Sequence, residues 1–463
     1  MATLDSLARI WRVPELRRRV LFSLGVLATY RLGVFITVPG VDRSVMQQVV
    51  HAQGGLLGMF NMFSGGALAQ LSIFALGITP YITASIVLQL LGMLSKQVEE
   101  LRKEGEAGRR KLEQWTRYGT IALSALQSLT LASWLEGLNA EVGVARFADV
   151  VSEPGWRFRL LTVLTLTTGT SLVMWLGEQA TERGVGNGTS LILFSSIVSG
   201  IPQGIANYFA ANAGDVQPLT LLVLAAFLGA SIALVVFFER AQRRIPIQYA
   251  RRQLGRRSYG GQHAYLPLKV NMASMIPAIF ASSLLTFPQM LSNALPLLAR
   301  LSGVLNRGDW VFNTFFAALT IFFTFLYTSA TFQPVEVADN LKKQQANIPG
   351  VRPGRQTAEY IDAVVSRLTF GGALYVASIC VVPSLVAQAF RVPFQFGGSS
   401  LMIVVSVALE TVNQIEAHLL THSYEGLTGP RATRLSGRAS AYDAQQSTSL
   451  RPSRAAAAAT SRS

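Results

Sequence analysis

Charge is scarce in this chain. Asp, Glu, Lys and Arg make up 14% of its 463 residues, against roughly 25% in an ordinary soluble domain, while half of the residues are hydrophobic. A soluble protein of this length divides into about two or three domains, each needing a charged surface. The charge for such surfaces is missing, which excludes a soluble multidomain enzyme. Cysteine is nearly absent as well. Cys380 stands alone, so an internal disulfide framework and a cysteine-ligated zinc cluster are both excluded. The chain contains no GxxxxGK[ST] phosphate loop and no HExxH pair, and no Asp falls within a long apolar stretch. ATP-driven pumps, zinc proteases and aspartyl intramembrane proteases therefore lack their reacting groups.

What the chain has instead is length in apolar runs. A bilayer core is crossed by about 20 mostly apolar residues in a helix. Ten such stretches begin near Leu21, Ile73, Tyr118, Leu160, Thr189, Pro218, Met272, Trp310, Phe370 and Ser399. The first, Leu21 to Val38, follows Arg17, Arg18 and Arg19 and has no small-residue cleavage site behind it, so it reads as a retained membrane helix. A net charge of +15 suggests nucleic-acid binding until the basic residues are placed. Of 40 Lys and Arg, one set of alternating connections holds 32 and the other seven, with Arg31 inside the first span. The positive-inside rule then predicts both termini in the cytoplasm. Ten spans give two halves of five, and an odd number per half inverts the second relative to the first. A shared fold would make them an inverted repeat with the functional site between them.

Several segments do not fit a plain helical bundle. Asn61 to Ser72 is apolar, too short to span and broken by Gly65 and Gly66, and Pro80 interrupts the helix after it. It reads either as a re-entrant segment buried in protein or as a helix lying in the headgroups. GVGNGTS, Gly184 to Ser190, misses the spacing of a dinucleotide loop and reads as a tight turn capping the fifth span. His418 and His422 share a helix face and could ligate a metal. With no Asp or Cys nearby, they read as histidines at the end of the last helix. Glu410 and Glu416 in the tenth span, six residues apart and on different faces, and Arg31 in the first are intramembrane charges, functional suspects by default. Arg31 could also simply pair across helices. Two long connections, Glu239–Lys269 and the one carrying NIPGVRPG at Asn347–Gly354, are strongly basic and longer than a bundle requires. An acidic protein surface or RNA phosphates would account for both charge and length. The tail from 428 to 463, with six Arg among many Ser and Ala, has little to bury and is expected to be disordered.

Six long motifs occur in order: FNMFSGGALAQLSIFALGITPYITASI, KEGEAGRRK, MWLGEQATERGVGNG, YLPLKVNMASMIPAIFASS, VADNLKKQQANIPGVRPG and VPFQFGGSSLMIVV. From about Pro14 to Leu427 the chain closely resembles the SecY family, the central channel subunits of the bacterial Sec protein translocase. The resemblance implies an all-α polytopic fold with two inverted five-helix halves, 21–210 and 211–427, around an hourglass pore. It implies a plug at Asn61, Met62, Phe63, Ser64, Gly65, Gly66, Ala67 and Leu68. The pore ring would be Ile78, Ile82, Thr189, Leu193, Ile279 and Ile403, with Thr189 where an aliphatic residue is usual. A lateral gate would lie between the second and third spans and the seventh and eighth, near Gln89, Gln127, Ser282 and Thr286, although small polar residues also pack ordinarily between membrane helices. Arg251, Arg252 and Arg352 would meet the SecA ATPase or the ribosome, including ribosomal RNA. SecE, SecG, secretory precursors with their signal peptides, and membrane lipid complete the implied partners. No cofactor, metal or catalytic residue is implied.

The spacing agrees with these assignments: Ile78 and Ile82, and likewise Thr189 and Leu193, are four residues apart and share a helix face. An aliphatic ring suits a channel for any polypeptide, because it contacts every side chain weakly and resists ions by dewetting when empty. The competing reading is a secondary transporter of small solutes, which also uses inverted halves and broken helices. Such proteins couple to ions through midplane carboxylates, which these spans nearly lack, and have no need of two long basic connections.

Overall fold

The computed structural model describes residues 13–53, 61, 64–141, 150–211, 218–249, 252–254, 257–259, 263–291, 310–389 and 398–428. The expected tail, Met62, Phe63 and Arg251 lie outside the described residues. Among the described residues the secondary structure is mostly helix, with small strands in the two long connections. In order, the helices are α1 (Pro14–Gly33), α2 (Arg43–Gln53), α3 (Thr79–Leu94), α4 (Lys96–Lys103), α5 (Glu106–Glu141), α6 (Trp156–Arg183) and α7 (Gly188–Ala211), then α8 (Pro218–Arg240), α9 (Ile276–Leu291), α10 (Trp310–Thr331), α11 (Pro334–Lys343), α12 (Arg355–Ala389) and α13 (Gly398–Thr428). Among the described residues, five helices are long and apolar enough to cross a membrane, and three shorter ones, at Thr79–Gly92, Gly188–Pro202 and Ile276–Leu285, are comparably apolar.

Local chemistry sets several helix ends. Pro14 and Pro80 sit in the first turns of α1 and α3, where a missing N–H costs nothing and a fixed φ favours initiation. Pro80 therefore starts a helix at Thr79 rather than interrupting one already begun at Ile73. The stretch Ser64–Ile78 before it is a chain of turns, with Gly65 and Gly66 at φ +68° and +86°. Helices α5 and α12 start three to four turns before their apolar runs, at Glu106 and Arg355. Their first turns are held by charge pairs four residues apart, Arg109–Glu113 at 3.1 Å and Arg355–Glu359 at 3.0 Å, which support exposed helix modestly. Threonines inside apolar helices bond back to their own turns. Thr320, Thr324 and Thr328 of α10 each donate to the carbonyl four residues earlier, so the helix buries them without orphaned hydroxyls.

The basic connection after α8 is a β-hairpin. Strand β1 (Gln242–Tyr249) pairs antiparallel with β4 (His263–Lys269) in the register Ile245↔Leu266, and β5 (Ala346–Asn347) from the second long connection adds to its other edge. Short strands β2 (Arg252–Leu254) and β3 (Arg257–Tyr259) form the tip. Along β1 only Ile245 and Ile247 are buried, the alternation of a half-buried strand. They share a core with Leu268, Leu341 of α11, Ile348, and Ile361 and Val365 of α12. The two long connections are thus one folded unit.

Candidate functional site

Four helices and one turn bring distant residues to a single apolar cluster. Ile78 precedes α3, Leu193 lies one turn into α7, Ile279 is in the first turn of α9 and Ile403 is in α13. All four are buried, Ile403 completely, and the half-buried Ile82 of α3 packs against them. Ala67 and Phe74, from the turns Ser64–Ile78, belong to the same cluster. The five aliphatic residues expected in the ring are therefore together; of the expected plug residues Ala67 joins them, whereas Leu68 packs in a separate core with Val38, Met46 and Leu166.

Thr189 lies one turn before Leu193 in α7. It is half-buried, and its hydroxyl donates to Asn187 Oδ1 at 2.7 Å, as does its backbone N–H at 3.1 Å. Asn187 is the N-cap of α7: its carbonyl accepts from Leu191 N–H at 3.0 Å, and its side chain satisfies the amides that open the helix. The preceding turn needs its glycines. Gly186 has φ +83°, and a Cβ on Gly188 would fall 2.1 Å from the Gly177 carbonyl oxygen, so α6 and α7 meet backbone to backbone here.

A cavity of about 690 Å³ opens between these helices on the side of the β-sheet. Ile82, Thr189, Leu193 and Ile279 line it together, and Asn187, Glu410 and Gln414 are among its polar residues. Glu239, at the end of α8, is held in this wall by Asn271, whose Nδ2 donates to Glu239 Oε1 at 2.8 Å. Asn271 occupies the short crossing from β4 to α9, so this bond fixes the start of α9 relative to α8. Two carboxylates, Glu239 and Glu410, line the cavity.

The four polar residues expected along the lateral opening lie on helices that meet. Helix α9 packs against both α3 and α5. Gln89 of α3 lines the cavity. Gln127 of α5 is buried, and its Oε1 has no hydrogen-bond partner among the described residues. Ser282 of α9 is buried and donates to the Ile279 carbonyl at 2.9 Å. Thr286 lies in α9, with its side chain outside the described residues. Of the expected docking arginines, Arg352 is exposed in the turn before α12, where its carbonyl accepts from the Thr357 hydroxyl at 2.9 Å. Arg252 lies in β2, its side chain outside the described residues. His418 and His422 are both in α13, the latter's side chain likewise outside them. No group of three His, Cys, Asp or Glu able to hold a metal occurs among the described residues.

Sequence reading missed the Asn187 cap as a structural unit with Thr189, and the Asn271–Glu239 contact altogether. The Asn-Gly-Thr order was a usable signal for the first. The second joins residues 32 apart and had none.

Residues 72–412 match the SecY family. The chain belongs to the SecY family. It is 48% identical over 419 residues to the protein translocase subunit SecY of Escherichia coli K12, covering 89% of this chain and 93% of the relative. The corresponding subunit of Haemophilus influenzae is 47% identical over the same shares. A solved structure of a protein conducting channel aligns with TM-score 0.60 at 15% identity, over 87% of this chain and 92% of that one. A second, of a SecY protein whose plug domain stabilises the closed state and maintains a membrane seal, aligns with TM-score 0.57 at 16% identity, over the same shares. The fold is accordingly that of an all-α, multi-pass SecY-family membrane protein, decorated by the small sheet. All six ring positions fall inside the matched residues, whereas Asn61–Leu68 precede them.

Proposed function

We propose that this chain is the channel subunit of a protein translocase, passing unfolded secretory polypeptides across the bacterial plasma membrane and releasing apolar segments sideways into lipid. One observation carries the reading: a cavity with mixed polar and apolar walls shares Ile82, Leu193 and Ile279 with a cluster of aliphatic side chains from separate helices, to which the irregular segment Ser64–Ile78 contributes Ala67 and Phe74. The cavity is the cytoplasmic vestibule, Ile78, Ile82, Leu193, Ile279 and Ile403 the constriction with Thr189 at its entrance, and Asn61–Ser72 the plug. A small-solute transporter has no need of two long basic connections, which here share one core.

The two halves, 21–210 and 211–427, clamp the pore, with both termini in the cytoplasm. The lateral gate lies where α9 meets α3 and α5, and its exit to lipid is bordered by α10. Transport is driven from outside the chain, by the SecA ATPase or a translating ribosome docking on the sheet and the Arg352 turn. Ribosomal RNA is one contact for Arg251 and Arg252, and SecE and SecG are the membrane partners.

The test places a photo-crosslinking residue at Ile279 and, separately, on the lipid-facing side of α10. Membranes are supplied with SecA, ATP and a secretory precursor jammed midway by a folded domain. Crosslinks at Ile279 and none at the control are expected. Absence at Ile279 during demonstrated transport would remove the pore assignment.

A further inference from the structure

Arg31 is the one basic residue inside the first span, and its partners are not acidic. It stands in the last turn of α1, half-buried, and no ion pair forms on it among the described residues. Its Nη1 donates to the Gly65 carbonyl at 2.8 Å and to Ser199 Oγ at 2.7 Å. Ser199 is oriented to accept, because it donates its own proton to the Ser196 carbonyl at 2.8 Å. The neighbouring Tyr30 has no solvent exposure. Its hydroxyl donates to the Ser64 carbonyl at 3.0 Å and is hydrogen-bonded to Ser196 Oγ at 2.9 Å. The Tyr30 ring stacks on Phe74, centroids 5.5 Å apart. Two adjacent residues of α1 thus grip two adjacent carbonyls of the turn segment, and both are braced against one turn of α7.

We propose that Tyr30 and Arg31 are positioning residues that latch the plug shut by its main chain. This rests on the reading of Asn61–Ser72 as the plug. A grip on carbonyls is indifferent to the plug's side chains, but it demands a close approach of the backbone. Gly65 supplies it: a Cβ there would lie 2.9 Å from Arg31 Nη1 and 3.0 Å from Ser196 Cα, at φ +68°. The seat inside the plug is fixed as well. Ser64 Oγ accepts from Leu68 N–H at 3.1 Å, and Asn61 Oδ1 accepts from Ala69 N–H at 2.8 Å, so the two gripped carbonyls are presented by a rigid turn. Charge-assisted bonds to carbonyls are the stronger kind, and Arg31 carries its charge where the α1 carbonyl end favours it. Opening requires both grips to let go together, so losing either side chain biases the plug toward release.

Full-length chain is expressed with its translocase partners, membranes are fused into planar bilayers, and resting ion conductance is read without precursor or driving ATPase. Arg31→Gln is expected to raise it about tenfold or more, Tyr30→Phe less, and Gly65→Ala in the same direction. Deleting residues 64–72 should also raise it, and in that background Arg31→Gln should add nothing. Abundance of intact protein in the membrane is checked for each. If Arg31→Gln fails to accumulate, Ser199→Ala, which keeps the charge and removes one anchor, takes its place with a smaller rise. A leaking deletion beside tight, normally abundant latch variants overturns the latch and leaves the plug reading standing. If the deletion does not leak either, the plug reading falls and takes the latch with it. A further rise from Arg31→Gln in the deletion background would place its action elsewhere and refute the latch.

Discussion

Ile403 offers the sharpest quantitative test of the constriction. It has no solvent exposure and packs among Ile78, Leu193 and Ile279, each from a different part of the chain. Passage of a polypeptide requires those side chains to separate, so the packing of Ile403 is present in the closed channel and largely lost in the open one. Shortening a buried Ile to Val costs about 1 kcal/mol, and to Ala about 2 kcal/mol or more. Where the whole cost falls on the closed state, the open-to-closed ratio rises about fivefold for Ile403→Val and roughly thirtyfold for Ile403→Ala. Contacts kept in the open state lower both figures and preserve their order. Single-channel recording without precursor gives the open probability, and membrane abundance controls for folding. Equal open probabilities for Ile, Val and Ala at normal abundance would refute the argument, because a ring that packs only when closed must respond in that order.

Two other parts of the site can be probed in the same membranes. Thr189→Ile adds apolar bulk one turn before Leu193 while keeping the backbone N–H that Asn187 Oδ1 accepts, so resting ion conductance is expected to fall. Unchanged conductance would remove Thr189 from the constriction. Arg352→Glu reverses charge on a side chain that is itself exposed. It should impair SecA-driven precursor transport far more than membrane integration of the chain itself, as compared by a vesicle import assay and by carbonate extraction.

Much of the architecture was legible in the residues, for definite physical reasons. Apolar runs of membrane length locate helices because lipid offers backbone groups no alternative partner, and nine of the ten predicted starts fall within a helix or within about one turn of its beginning. The starts of α5 and α12 were misjudged because hydropathy sees only the apolar part. Their extensions are written in charge spacing instead, in Arg109–Glu113 and Arg355–Glu359. The hairpin was hidden by Pro246 and Pro267, which argue against a central strand. The fold tolerates Pro246 because β5 pairs only with Gln248 and Tyr249, leaving that edge of β1 open where the proline sits. The meeting of the five aliphatic residues was anticipated only through the family resemblance. These residues lie up to 325 positions apart, Ile78 to Ile403, and no periodicity within one helix reports a meeting of several. The grip of Arg31 on the Gly65 carbonyl was equally silent, since a main-chain acceptor leaves no mark in composition.

The core shared by the two long connections has a mechanical consequence. Prising β1 and β4 from α11 and α12 would expose Ile245, Ile247, Leu268, Leu341 and Ile361, at a cost on the order of 10 kcal/mol. The connections therefore carry load as one lever. Its arms are stiff: α12 runs without interruption from the Arg352 turn into the bundle, and β4 passes through Asn271 into α9 within a few residues. A thrust on the exposed turn is therefore shared between two helices, and Ile279 stands in the first turn of one of them.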